Sequence, residues 1–449
     1  MKYKNVAFIV LILIFGFYAV IPGAAYSSPK IRVNGELRNF NPAPQIVNDR
    51  TMVPVRFVIE DEALGGKVYW DSELRKVTLD CRGKHIEFSI GSTEAAVDGQ
   101  AYYLDNAPYI YNNRTFVPLR FIAETLGAVV AWDSGKWEVS IDFGWQPRIF
   151  AYYYCTPVEE LEENAHLFSD VVFRWFETNA QGELYYEYRY DYDEVLGFAR
   201  KRNIKTHAGV ALMDREALHS LLSSKENRAR LIDSLLDQVK QNHYDGVNID
   251  FEFIAPEDGG FFTVFLQELK ASLGPDKVLS VAVFARTGKE NWSAAYEYSK
   301  IGKIADLVVV MAYDYSYKTT APGAIAPLWW VEDVVAYAVE NIPREKVLLG
   351  IPTYGYNWSS SGACSTVTAS KLAEIKARYT VEENFDLTSM SPSYAYVDEY
   401  QNVHQIWFEN ERSLKEKWEV ASENGLGGIS FWRIGNGCND LYKILADNP

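Results

Sequence analysis

The chain reads as an α/β protein: a (β/α)8 TIM barrel with a small α+β insertion before its last strand, preceded by a duplicated small α+β domain. Three observations predict this. Its 449 residues suggest two or three domains. From about residue 147, eight short apolar runs alternate with helical patterns, as a parallel barrel requires. Before that point one twelve-residue stretch occurs twice, the signature of a repeated supersecondary unit.

Composition narrows the function classes. Hydrophobic residues make up 48% and charged residues 23%, an ordinary globular balance. Sixty acidic against 44 basic residues give a net charge of −16, which disfavours a nucleic-acid partner because phosphate contacts need clustered Lys and Arg. Six His and four Cys without CxxC spacing leave little for a metal framework, so no metal or cofactor is expected.

Residues 1–25 have the form of a signal peptide. Lys2 and Lys4 precede an apolar run over 6–20, and small residues follow up to Ala25. The rest of the chain then lies outside the membrane and is secreted. An uncleaved N-terminal anchor is the alternative, since the run is nearly long enough to span.

Residues 31–143 carry the repeat. Ile46-Val-Asn-Asp-Arg-Thr-Met-Val-Pro-Val-Arg-Phe57 returns as Ile110-Tyr-Asn-Asn-Arg-Thr-Phe-Val-Pro-Leu-Arg-Phe121. Each copy has an Asn/Asp-Gly hairpin signal (Asn34-Gly35 and Asp98-Gly99) and a Pro opening a helix (Pro54 and Pro118). Final hairpins are expected over 68–79 and 129–141. Arg56, Arg120, Trp70 and Trp132 are read as structural. The stretch resembles the copper amine oxidase N-terminal-like domain of secreted bacterial proteins. That resemblance implies an exported stalk with possible wall attachment; with His85 its single histidine, it does not imply copper.

Residues 147–449 carry the barrel. Strands are expected at 149–154, 171–176, 206–212, 246–251, 278–284, 307–313, 347–354 and 427–432. Helices are expected at 191–202, 225–243, 260–273 and 330–341. The insertion is expected at about 359–426, with a helix over 370–378 and a hairpin over 393–408. A doubly wound sheet binding a nucleotide is disfavoured by the lack of a GxGxxG or GxxxxGK[ST] turn.

The informative strand is Asp245-Gly-Val-Asn248-Ile-Asp250-Phe-Glu252. A period of two puts Val247, Ile249 and Phe251 on one side and Asn248, Asp250 and Glu252 on the other. Barrel interiors are normally aliphatic, so an inward carboxylate pair at the C-terminal end of a strand reads as catalytic. Two carboxyls on one face resist joint ionisation, so one holds a proton and serves as an acid.

The segment resembles the DxxDxDxE motif of glycoside hydrolase family 18, the chitinase-like enzymes. Met311-Ala-Tyr313-Asp314 resembles that family's MxYD, and Gly427-Gly-Ile-Ser-Phe-Trp432 its last strand. The details are closest to the spore and cell-wall peptidoglycan N-acetylglucosaminidase branch. The resemblance implies that Glu252 is the general acid/base, that Asp250 and Tyr313 hold the substrate acetamido group, that Asp314 holds the distorted sugar, and that Trp432 stacks beneath it. Asn248, Asp245, Tyr152, Tyr354 and Tyr356 are the further substrate-binding candidates. The nucleophile would be the substrate's own acetamide. The expected partner is an N-acetylglucosamine polysaccharide, peptidoglycan first and chitin second, and the expected location is the bacterial wall or spore. The departures are Asn248 at a motif Asp position and the absence of SxGG at the third strand. A chitooligosaccharide hydrolase and a non-catalytic, lectin-like barrel are the alternatives.

Overall fold

The computed structural model describes residues 28–60, 66–154, 156, 158–186, 192–290 and 295–448. The signal-peptide reading therefore falls outside the described residues. Among these residues no helix is long and apolar enough to cross a membrane. The chain divides into two compact units, one ending at Gly144 and one beginning at Trp145.

In the first unit the two copies are interlocked. Asn34-Gly35 and Asp98-Gly99 both take positive φ (48° and 82°, 51° and 81°), the two-residue turn whose twist matches a hairpin. The copies meet where Arg50–Pro54 pairs antiparallel with Arg114–Pro118. Each copy's final hairpin then joins the other copy's first hairpin. Lys30–Val33 pairs with Glu138–Asp142, while Lys67–Asp71 and Lys76–Cys81 share a sheet with Glu94–Val97. One apolar core, including Val53, Ile59, Leu79, Phe88, Val117 and Ile122, fills the space between. Trp70 and Trp132, read from sequence as structural, are 41% and 40% exposed.

The second unit is the barrel. Among the described residues its parallel strands are β1 (Arg148–Tyr153), β2 (Asp170–Thr178), β3 (Lys205–Leu212), β4 (Gly246–Phe251), β5 (Val278–Phe284), β6 (Leu307–Met311), β7 (Val347–Pro352) and β8 (Gly428–Trp432). Each pairs with its neighbours in chain order, and β8 pairs with β1 to close the ring. These are the eight runs expected from sequence. Helices Tyr192–Lys201, Lys225–Gln241, Gly259–Leu273 and Leu328–Asn341 cover the outside. Their apolar faces pack on the outward residues of the strands; Phe251, for one, stacks on Phe265 at 5.5 Å.

The insertion is a five-stranded antiparallel sheet with one helix, Ala369–Arg378. Its strands run from Gly355–Ser359 to Val403–Trp407. The following helix, Glu411–Glu423, packs on the barrel against β8 and is capped by Asn410 and Ser413 in a reciprocal box. The inserted sheet thus continues directly from β7 and sets Tyr354 and Tyr356 beside the mouth of the barrel.

Candidate active site

Strand β4 delivers the acidic pair. Val247, Ile249 and Phe251 face the helices, and Asn248 and Asp250 point inward, each at most 4% exposed. Glu252 stands one residue past the strand, where its backbone N–H donates to the Leu212 carbonyl at 3.0 Å. The chain then turns sharply: Phe253 has φ 63°, a conformation costly for a bulky residue, and its exposed ring lies 5.3 Å from that of Phe284.

A cavity of about 200 Å³ opens at this end of the barrel, lined by residues that include Tyr152, Asp250, Glu252, Tyr313, Asp314, Tyr354 and Trp432. Seven of the ten site residues named from sequence therefore meet in one place. Trp432, at the end of β8, is flanked by Tyr154 and Tyr152, with ring centroids at 5.8 and 5.5 Å. Tyr313 follows β6 and lies over β7 because Gly350 has no side chain; a Cβ there would sit 3.1 Å from the Tyr313 ring. Asp314 takes φ 59°, which a short acidic residue tolerates, and its Oδ1 accepts from the hydroxyls of Tyr354 (2.7 Å) and Tyr356 (3.1 Å).

Three of the named residues are placed differently. Asp245 is not in the site. It opens β4 at the opposite end of the barrel, where its carboxylate accepts from the Thr206 backbone N–H at 2.9 Å and meets Lys205 at 3.3 Å. Five residues of strand separate it from Asp250, about 16 Å, and its odd position puts it on the other face. Asn248 is fully buried beneath the cavity. Its Oδ1 accepts from the Tyr152 hydroxyl at 3.2 Å and its Nδ2 donates to Ser280 Oγ at 2.9 Å, so it fixes Tyr152 instead of facing a ligand. Tyr356 acts on Asp314 from behind Tyr354. Trp175, on β2, is buried and donates to the Tyr244 hydroxyl at 3.0 Å.

The sequence reading missed Arg174. It lies on β2 within an apolar run, is 4% exposed, and pairs with Glu177. Its Nε stands 3.7 Å from Asp250 Oδ2, an ion-pair distance too long for a hydrogen bond, and its guanidinium covers the Tyr154 ring at 5.0 Å. An arginine inside a buried barrel strand is the signal that could have revealed it. Met213, Phe284 and Met311 also line the cavity, and nothing in their spacing marked them.

The electrostatics separate the two carboxyls. Burial pushes Glu252 from 4.5 up to about 8, with the adjacent Asp250 adding to the rise and Arg174 opposing it. Burial also raises Asp250, and Arg174 counters this while Glu177 reinforces it. Of the pair, Asp250 has the cation nearer. We read Glu252 as the proton holder and Asp250 as the anion at neutral pH. Asp314 is raised by desolvation and lowered by its two tyrosine hydroxyls. Such a site can give a proton to a bridging oxygen and stabilise positive charge on a group beside it.

The profile described as glycosyl hydrolases family 18 matches residues 148–437, and that of the copper amine oxidase N-terminal domain matches residues 32–141. Among the described residues no group of three His, Cys, Asp or Glu side chains converges as a metal site. The chain is 31% identical over 263 residues to a protein named uncharacterized glycosylase YvbX of Bacillus subtilis, covering 56% of this chain and 76% of that one. It is 31% identical over 230 residues to the cortical fragment-lytic enzyme of Bacillus anthracis, covering 49% of this chain and 53% of the relative. The crystal structure of a chitinase from Chromobacterium violaceum superposes with a TM-score of 0.63 at 27% identity, covering 67% of this chain and 98% of that one.

Proposed function

The chain belongs to glycosyl hydrolases family 18, and on that premise we propose that its barrel hydrolyses β-1,4 bonds next to N-acetylglucosamine in peptidoglycan of the spore cortex or cell wall. What supports the reading most is the inward pair Asp250 and Glu252, opening on an aromatic-lined cavity with Glu252 held protonated by burial.

The reaction uses the substrate as its own nucleophile. The sugar stacks on Trp432, and the hydroxyls of Tyr152 and Tyr313 border its acetamido group. Glu252 gives its proton to the glycosidic oxygen, and the bond from that oxygen to the anomeric carbon breaks. The acetamido carbonyl oxygen, already beside that carbon, closes on it at high effective concentration. Asp250 holds the acetamido N–H and balances the positive charge of the ring so formed. Glu252, now ionised, takes a proton from water; the water attacks the same carbon, the ring reopens, and configuration is retained. Arg174 keeps Asp250 anionic throughout, and no metal or cofactor takes part.

In this reading residues 1–25 direct export and the first domain attaches the barrel to the wall. The similarity of the barrel to the cortical fragment-lytic enzyme favours peptidoglycan. The likeness to a chitinase keeps chitin oligomers as the second substrate. The test is digestion of purified peptidoglycan by the chain and by Glu252→Gln, with mass spectrometry of what is released. Fragments ending in reducing N-acetylglucosamine, absent with the variant, support the proposal. Release from chitin oligomers alone moves the function to chitin, and retained binding without products from either makes the barrel a lectin.

A further inference from the structure

Duplication gives the first domain two equivalent grooves, and they have diverged in charge. One is lined by Arg50, Arg120 and Trp132. The other is lined by Arg114, Arg56 and Trp70, the same residues with the copies exchanged. Their cavities are about 450 and 430 Å³, within the range of small-ligand sites. In each, a tryptophan about 40% exposed is set among the arginines on a floor of valines.

In the first groove carboxylates answer the guanidinium groups. Arg50 meets Asp105 at 2.5 Å and Arg120 meets Glu124 at 2.9 Å, and Asp49 lines the wall as well. In the second groove Asn113 replaces Asp49 and Asn41 replaces Asp105, by the register of the repeat. Among the described residues Arg114 has no carboxylate partner; its Nη1 donates only to the Asn113 carbonyl, at 3.3 Å. Arg56 reaches Glu60 at 3.4 Å and the Val68 carbonyl at 3.5 Å, both long contacts of an exposed side chain. Among the described residues no carboxylate belongs to the lining of this second groove, in a chain whose net charge is −16. Two arginines that share the single carboxylate of Glu60 leave a net positive charge in this groove, and the exposed indole beside them offers a flat apolar face.

We propose that the groove of Trp70, Arg56 and Arg114 binds a sugar ring bearing an acidic substituent. The ring lies on Trp70, and the carboxylate or phosphate sits between the two guanidinium groups, which suit it by charge and by forked geometry. Two sources share this chemistry: a muramyl sugar with its carboxylates, and a phosphate-linked wall polymer. The inference rests on the wall-attachment reading for its choice of ligand. The first groove, its arginines already neutralised, is the internal control.

The experiment uses the full chain carrying Glu252→Gln, so that nothing is cut, with an N-acetylglucosamine oligomer in excess to fill the barrel. Calorimetric titrations with soluble muramyl-peptide glycan fragments and with purified phosphate-linked wall polymer form its two arms. Arg114→Ala and Trp70→Ala each weaken one of these ligands by about tenfold or more. Trp70→Phe keeps most of the affinity, and raised salt removes most of it. Arg50→Ala and Trp132→Ala change it by less than about twofold. Loss in the carboxylate arm identifies the muramyl source and loss in the phosphate arm the polymer; either supports the proposal. It is overturned if the parent chain binds neither ligand, if the Arg114 and Trp70 variants bind like the parent, or if the first-groove variants lose as much. The titration needs no turnover, so a chain that fails to hydrolyse peptidoglycan but shows this pattern refutes the proposed function and leaves the groove standing.

Discussion

Replacing Glu252 by Gln makes the protein more stable as it removes turnover, and the gain depends on pH. Burial holds the Glu252 carboxyl at about 8 in place of the ordinary 4.5. A value raised by folding means that the group's contribution to stability is complete below about pH 4.5 and is lost as pH rises through about 8. At pH 7 the unfolded chain ionises this carboxyl and the folded chain keeps it protonated, a cost of roughly 3 kcal/mol at about 1.4 kcal/mol per pH unit. Glutamine has nearly the same shape and no charge to desolvate. It recovers about 1–3 kcal/mol, because part of the rise belongs to Asp250 and its amide must find acceptors. For a domain of this size that is a gain in Tm of roughly 2–6 °C at pH 7. Thermal unfolding of both proteins, followed by circular dichroism from pH 4.5 to 9, reads the effect. The two melt together at the acid end, the gap opens as pH rises, and it levels off above about pH 8. A gap that stays constant with pH, or a wild type that gains on the variant as pH rises, would show that Glu252 is ionised in the folded site and would refute the reasoning.

Four other outcomes follow from the same contacts. In the wild type, kcat/KM falls as pH rises through about 8, because the acid must carry its proton; a profile flat to pH 9.5 contradicts this. Arg174→Met leaves the buried carboxylate of Asp250 and the part-exposed one of Glu177 without their cation, costs about 3–5 kcal/mol on denaturant unfolding, and moves the acid limb of kcat/KM to higher pH because Arg174 is what holds Asp250 down. Tyr354→Phe removes the 2.7 Å bond to Asp314, raises that carboxyl further, and lowers kcat about tenfold with little change in Tm. Asp245→Ala costs about 1–2 kcal/mol of stability and leaves turnover per folded molecule unchanged, which a titration of active sites would show.

The barrel was legible because each strand is a compact apolar run and each crossover a helical pattern, so local signals and topology agree. The acidic strand was legible for the converse reason: Asp250 and Glu252 break the aliphatic pattern that a barrel interior otherwise keeps. The motif was over-read at Asp245, where the alternation that selected Asp250 and Glu252 already placed it on the opposite face. Asn248 and Tyr356 share elements with residues that face the cavity, and only the hydrogen bonds to Tyr152 and Asp314 distinguish support from contact. Arg174 went unseen because Asp250, its partner in the site, lies on another strand. The exchange of hairpins between the two copies was illegible in principle, since each copy carries the same local signals and nothing local says which copy a hairpin joins. Trp70 and Trp132 show the same limit: sequence gives an aromatic residue, and only the assembled sheets show that the ring remains open to solvent.

The central claim is that Glu252 supplies the proton while the substrate's own acetamide attacks. Matched β-1,4 glucosamine oligomers, N-acetylated and de-N-acetylated, test it in one measurement, with turnover and the anomer of the first product followed by proton NMR. The account predicts β-anomer release from the acetylated oligomer and no turnover of the de-N-acetylated one. Comparable turnover of both, or release of the α-anomer, would contradict it and assign the attack to a protein carboxylate or directly to water.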